Sequence, residues 1–260
     1  MAAKPAQSKS STKTLRLRGK VAVVTGGSRG IGYAAARALA GEGCDVVITG
    51  RDAAVLKKSA ASISREAGGR GKVVPRVCDV RDAESVTALF ADVKKRFGRL
   101  DVLFNNAGIS QAPTPVGDTS LEMWRNMLDT NLTGIFLCTR AALPLMKPGG
   151  TILNNISAAA KQVFPNFSAY SAAKHGAYGF TLALRDELIP RGIRVTALMP
   201  GATDTDIWQQ IIPDAPREQM IPVERIAEAV LYAVLLPPQA NLSELLVLPA
   251  VGSVGAKSSD

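Results

Sequence analysis

The sequence predicts one doubly wound α/β domain, a seven-stranded parallel sheet with helices on both faces. Three observations predict it. From Lys20 onward, seven short apolar or β-branched runs alternate with six longer segments of helical pattern, as in repeated strand–helix–strand units. Most of the short runs are continuously apolar instead of alternating, which requires burial on both faces. The chain has 260 residues, 47% of them hydrophobic and 20% charged, a composition typical of a globular domain that buries roughly 70–75% of its unfolded surface.

The first strand, Val21–Thr25, runs into a glycine-rich turn and an alanine-rich helix, Ile31–Gly41. Strand Val46–Thr49 is followed by helix Ala53–Glu66, and strand Val73–Val77 by helix Ala83–Phe97. Strand Val102–Asn105 leads to a long helix, Leu121–Leu145, and strand Thr151–Ile156 to helix Tyr170–Leu188. Strand Arg194–Leu198, helix Val223–Leu236 and strand Leu245–Leu248 complete the series. Right-handed crossovers leave few topologies, and the natural one is the Rossmann-type order 3-2-1-4-5-6-7. No linker or repeat divides residues 19–250, so they read as one domain, with a short flexible C-terminus over 251–260.

The net charge of +9 is localised. Eight of the 31 basic residues and none of the 22 acidic ones lie within residues 1–41, so the rest is nearly balanced. Five of those eight fall in the Ser/Lys/Ala-rich stretch 1–18, whose low apolar content predicts a disordered basic tail. This placement argues against a nucleic-acid partner. No apolar stretch is long enough to span a membrane, and the tail lacks the apolar core of a secretory signal. Cys44, Cys78 and Cys138 are isolated and odd in number, which argues against a disulfide framework or thiolate metal site and for a reducing, cytoplasmic setting. With His175 the one histidine, no metal site is expected, and His175 itself reads as structural. Trp124 and Met127, at helical spacing, read as packing.

After the first strand the chain reads Gly26-Gly27-Ser28-Arg29-Gly30-Ile31-Gly32. Between a strand and a helix, such a turn lets backbone N–H groups approach a pyrophosphate at the helix's positive end. An NAD site needs a carboxylate at the end of the second strand for the ribose 2′-hydroxyl. Here Gly50 takes that place and Arg51 follows it. Arg51 and Arg29 together suit the 2′-phosphate of NADP(H) through charge-assisted bonds. The rival assignment gives Asp52 the carboxylate's role and turns Arg51 to solvent. Asp79-Val80 after the third strand and Asn106-Ala107-Gly108 after the fourth occupy strand ends that face the cofactor crevice.

Tyr170 and Lys174 are four residues apart, on one face of a helix. Ser157 ends the fifth strand, and Asn131 lies on the helix before it. A phenol beside an ammonium is suited to proton transfer at an oxygen where hydride arrival builds negative charge.

Taken together, the glycine turn, Asn105–Gly108, Asn131, Ser157, Tyr170, Lys174 and Pro200-Gly201 resemble the short-chain dehydrogenase/reductase family over nearly the whole folded chain. The resemblance implies that Tyr170 is the proton donor to a carbonyl and that Ser157 holds the carbonyl oxygen. It implies that Lys174 binds the nicotinamide ribose and lowers the phenol's pKa, and that Asn131 supports a water relay to Lys174. It places Thr203 and Thr205, after Pro200-Gly201, against the cofactor carboxamide. Homotetramers or homodimers are common in the family, and the long helices Leu121–Leu145 and Tyr170–Leu188 are where such contacts are expected.

Substrate selectivity is expected from Ile109–Thr119, Ala158–Phe167 and Ala202–Ile221. Val163, Phe164, Phe167, Ile207, Trp208, Ile211 and Ile212 make these stretches apolar, with Lys161, Asp206 and Arg217 as charges near the mouth. An apolar pocket suits a small-molecule ketone or aldehyde, or the matching alcohol, with a hydrophobic body. The ending Glu244–Pro249 is less similar to the family's acyl-carrier-protein reductases, which remain an alternative, as does a non-catalytic NADPH-binding sensor.

Overall fold

The computed structural model describes residues 15–252. Seven strands form one parallel sheet: β1 (Val21–Val24), β2 (Asp45–Gly50), β3 (Val73–Val77), β4 (Leu100–Asn105), β5 (Met146–Asn155), β6 (Arg194–Pro200) and β7 (Glu244–Val247). Their order is β3-β2-β1-β4-β5-β6-β7, as the crossover argument requires. All six pairings are parallel, so every strand's carboxyl end opens on the same edge. β5 begins earlier than its apolar run, at Met146, which pairs with Leu100 across a register shift.

The sheet's two faces are covered by different helices. On one face, α1 (Gly30–Gly41), α2 (Ala53–Glu66) and α7 (Val223–Leu235) bury Leu39, Leu56, Ile63, Ile226 and Val230 against Val24, Ile48, Phe104 and Leu198. On the other, α3 (Ala83–Phe97), α5 (Gly134–Ala142) and α6 (Ser168–Leu188) bury Leu89, Phe90, Val93, Leu137 and Leu184 against Val23, Val47, Leu103, Ile152 and Val195. Consecutive strand residues such as Val23 and Val24 therefore serve opposite cores. Each such side chain contributes about 1.5–3 kcal/mol by leaving water. Side-chain oxygens of Asp52 and Asp82 cap α2 and α3, and Ser120 caps α4 (Leu121–Leu128), satisfying orphan amides in the first turns.

Two expectations need correction. The long helix over Leu121–Leu145 is in pieces: α4, a π-helical turn over Asp129–Thr133, α5, and a 3₁₀ turn at Leu143–Leu145. The side-chain amide of Asn131 donates to the Met127 carbonyl (3.1 Å), the acceptor its own backbone N–H would use in an α-helix. That competition, followed by Gly134, favours the wider turn.

The second correction concerns the basic tail. Residues 1–14 lie outside the described residues, but the last four of the stretch are docked. Leu17 is buried in the core, its amide donates to the Glu42 carbonyl (2.9 Å), and Arg16 forks onto the Glu42 carboxylate (2.8 and 2.9 Å). At the other end, residues 253–260 fall outside the described residues. Among the described residues, no helix is long and apolar enough to cross a membrane.

Candidate active site

A cleft of about 810 Å³ runs along the carboxyl ends of the strands. Of the residues singled out in the sequence, Gly26, Ser28, Arg29, Gly30, Ile31, Arg51, Asp79, Val80, Asn106, Ala107, Gly108, Asn131, Ser157, Tyr170, Lys174, Pro200, Gly201, Thr203 and Thr205 all line it. Gly32 does not line it and has a packing reason to be glycine: a Cβ there would stand 2.3 Å from the Gly26 carbonyl oxygen. Gly26 itself has φ +62° and would press on the Ala107 backbone. The turn is thus wedged against the end of β4, with the N-terminus of α1 facing the cleft.

The strand ends are tied together by amides. Asn105, buried at the end of β4, donates to Thr139 Oγ1 (3.1 Å) and to the Asn154 side chain (2.8 Å). Asn106 donates to the Thr25 and Gly26 carbonyls and accepts from Asn155 Nδ2 (2.9 Å). The sequence reading missed Asn155, which lines the cleft and whose carbonyl receives the Lys174 ammonium (3.2 Å). Its strand-end position was visible, but its cross-strand partner was not.

Ser157, Tyr170, Lys174 and Asn131 converge where β4 and β5 end. Ser157 has φ 100° and ψ 149°, and its Oγ accepts from Ala159 N (3.2 Å), opening a 3₁₀ turn over Ala158–Ala160. Tyr170 and Lys174 project from the start of α6, with Lys174 Nζ 5.5 Å from the phenol ring centre. Burial raises the Tyr170 pKa above the ordinary phenol value, while Ser157, which favours the ionised form, pulls weakly the other way. Burial also pushes the Lys174 pKa down to about 8. The expected lowering of the phenol by Lys174 is therefore not found in this structure. Desolvation is the main cause of the direction at both groups. Asn131 is fully buried, its Oδ1 accepting from Ile109 N (3.2 Å) and its Nδ2 donating to the Ile109 carbonyl (3.0 Å). A Cβ on Gly108 would lie 2.8 Å from that Oδ1, so the turn after β4 is packed onto the π-helical turn.

At the opposite end, Gly50 closes β2 beside Ser28 and Leu56. Arg51 makes no ion pair or hydrogen bond among the described residues, while Asp52 Oδ1 accepts from Ala54 N (2.8 Å) and Val55 N (3.0 Å). Asp52 thus has a capping role, and Arg51 lines the cleft beside it. Arg81, also missed in the sequence, lines this end and grips Asp79. The Asp-x-Arg spacing after β3 was its only trace.

The remaining wall is apolar. Phe164, Phe167, Ile207, Trp208, Ile211 and Ile212 line it, with Gln162 and Asp206 as polar members. Val163 is exposed and outside it. Lys161 and Arg217 do not face the mouth either: Lys161 pairs with Glu244 and Arg217 with Asp204. Cys44, Cys78 and Cys138 are buried free thiols, and desolvation pushes all three pKa values up, so they are poor nucleophiles. His175 is exposed, with Nδ1 on the Ser171 carbonyl (2.9 Å). Met127 is buried, its sulfur accepting from Asn131 Nδ2 (3.0 Å), while Trp124 is about one-third exposed (36%).

The sequence model of the short chain dehydrogenases matches residues 20–216. Farnesol dehydrogenase of Aedes aegypti is 37% identical over 241 residues, 90% of this chain and 97% of that protein. The alcohol dehydrogenase of the archaeon Thermococcus sibiricus, solved with 5-hydroxy-NADP, aligns with a TM-score of 0.80 at 32% identity, over 89% of this chain and 97% of that one. A short chain dehydrogenase of Burkholderia cenocepacia in complex with NADP aligns with a TM-score of 0.81 at 33% identity, over 90% and 98%. By fold, by the order of its strands and by these matches, the chain belongs to the short-chain dehydrogenase family of oxidoreductases.

Proposed function

We propose that the protein interconverts a carbonyl and an alcohol with NADP(H), acting chiefly as a reductase of ketones or aldehydes with an apolar body. The observation that supports this most is the convergence of Ser157, Tyr170 and Lys174 at one end of a cleft whose other end presents Arg29 and Arg51. The apolar wall around Trp208 supports the substrate class. The alcohol and farnesol dehydrogenase activities of the relatives agree with it.

The residues present fit a dinucleotide: the turn lines the cleft with Gly26, Ser28, Gly30 and Ile31 at the N-terminus of α1, and at Gly26 and Gly30 it takes positive φ values that suit glycine. Gly26, Ser28, Gly30 and Ile31 would hold its pyrophosphate, Arg29 and Arg51 its 2′-phosphate, and Asp79 and Val80 its adenine. Asn106, Ala107 and Gly108 would flank the ribose, and Pro200, Gly201, Thr203 and Thr205 the carboxamide. When bound, NADPH supplies the hydride.

The chain itself supplies the proton and the geometry. Tyr170, held protonated through neutral pH, donates to the oxygen on which charge develops. Ser157 Oγ hydrogen-bonds the same oxygen and stabilises that charge. Lys174, fixed by the Asn155 carbonyl, lies one turn below the phenol. Asn131 holds the backbone of Ile109 and so the shape of the site.

The test is NADPH oxidation over a panel of apolar and charged carbonyls, repeated with Tyr170→Phe. Apolar carbonyls should turn over best, and Tyr170→Phe should keep NADPH binding while losing at least about 10²-fold in kcat. Near-normal turnover in the variant would show that the proton comes from elsewhere.

A further inference from the structure

We infer that Arg81 sets the preference between NADPH and NADH indirectly, by clamping Asp79 so that Arg51 stays available to a 2′-phosphate. The inference rests on the reading of Gly50 and Arg51 proposed above. It concerns a positioning residue that acts through its neighbour.

Arg29, Arg51, Asp52, Asp79 and Arg81 line one end of the cleft. Asp52 caps α2, which leaves Asp79 as the carboxylate most able to compete for Arg51. Arg81 Nη2 lies 2.6 Å from Asp79 Oδ2, and its Nε lies 3.0 and 3.1 Å from the two oxygens. The backbone N–H of Arg81 adds a bond to Oδ1 (3.0 Å). A carboxylate has about four acceptor sites, and three donating groups of Arg81, with Nε shared between both oxygens, take most of them. Arg81 Nη1 is in turn held by Asn126 Oδ1 of α4 (2.8 Å), which keeps the guanidinium on Asp79 instead of swinging into the cleft.

The same geometry explains the charge state. Arg81 is the main cause that holds the Asp79 carboxyl below its usual range, and Arg51 adds a smaller pull. Arg51 and Asp79 therefore already feel each other. Without Arg81, the Asp79 carboxylate would turn its charge on Arg51 and on any phosphate bound there. NADH, with a 2′-hydroxyl, carries no such charge and is indifferent to the change.

The experiment measures Kd for NADPH and NADH in wild type, Arg81→Ala, Asp79→Asn and the Arg81→Ala/Asp79→Asn double variant, with Tm as the check on folding. Wild type should prefer NADPH. Arg81→Ala should cut that preference roughly 3- to 10-fold, as expected for a partly exposed charge contact, and more at low salt. The double variant should recover it, because the liberated carboxylate is gone. Arg81→Lys, which keeps the charge and loses the fork, should fall between and serves if Arg81→Ala folds poorly. A wild type without NADPH preference would overturn the Arg51 reading itself. A preference that survives Arg81→Ala would overturn the role of Arg81 alone. A preference lost in Arg81→Ala and not recovered in the double variant would make Arg81 a direct phosphate ligand and refute the route through Asp79.

Discussion

Ser157 holds φ 100° and ψ 149°, a conformation that suits glycine and costs other residues about 1–3 kcal/mol. A serine kept there points to a need for its hydroxyl. Ser157→Gly and Ser157→Ala both remove that group, so turnover should collapse in both. The glycine variant should nevertheless be the more stable by about 1–2 kcal/mol in denaturant unfolding. Equal stability would mean that the backbone is relaxed. At Gly50 a Cβ meets Leu56 and Ser28 only at ordinary contact distances, 3.5 and 3.6 Å, so Gly50→Asp fits. It should weaken NADPH and improve NADH, whereas Arg51→Ala should only weaken NADPH, by roughly 10- to 150-fold in kcat/KM. Wild-type preference for NADH would return the ribose to Asp52. Lys174 links the site to pH. Its folded pKa of about 8 lies below the ordinary ammonium value, so the folded state loses its proton first. That group's contribution makes stability rise with pH from about 8 to about 10.4, by roughly 3 kcal/mol in all. The buried thiols oppose it, because their raised pKa values cost stability as pH climbs past the unfolded thiol value. Subtracting the Lys174→Met profile isolates the lysine, and a difference curve that is flat would deny it the shift.

Among the elements, the π-helical turn at Asp129–Thr133 is where packing and chemistry meet. Gly134, just after it, sits against β3's exit: a Cβ there would lie 2.8 Å from a Val80 methyl and 3.3 Å from its carbonyl oxygen. Gly134→Ala should therefore cost about 1–3 kcal/mol by overpacking and should also lower kcat, since it shifts the turn that holds Asn131. Lost stability with unchanged kcat would separate the two. The strands were legible because burial on both faces leaves a compositional mark, as in the run at β1. The turn was not legible. Its cause is a side-chain amide taking one backbone carbonyl, and that leaves no periodicity for a helical pattern to lose. The candidate catalytic residues Ser157, Tyr170 and Lys174 were readable through their fixed spacing on α6 and a strand end. Arg81 and Asn155 act through partners in other elements, Asn126 and Asn106, which spacing along the chain does not encode.

For the molecule as a whole, the docked stretch at Leu15–Arg18 changes what a truncation does. Averaged over eighteen residues, the segment's composition hid two leucines beside an arginine that finds a buried glutamate. Leu17→Ala should cost about 2–4 kcal/mol, and deleting residues 1–18 should lower Tm at least as much. An unaltered Tm after that deletion would show that the packing of Leu17 contributes nothing.

The central strand has a further consequence, in time instead of space. β1 lies between β2 and β4, and the amide of Val21 is satisfied by the carboxylate of Asp101, 80 residues later. On a ribosome adding about 5–20 residues per second, β1 waits roughly 4–16 s for that neighbour. Until then its second edge is open, and the run Val21–Val24 is among the most apolar in the chain. The protein's most exposed moment thus comes during its own synthesis, before the cleft exists. Slowing translation between residues 25 and 100 should lower the soluble yield of nascent protein without altering the activity of what folds.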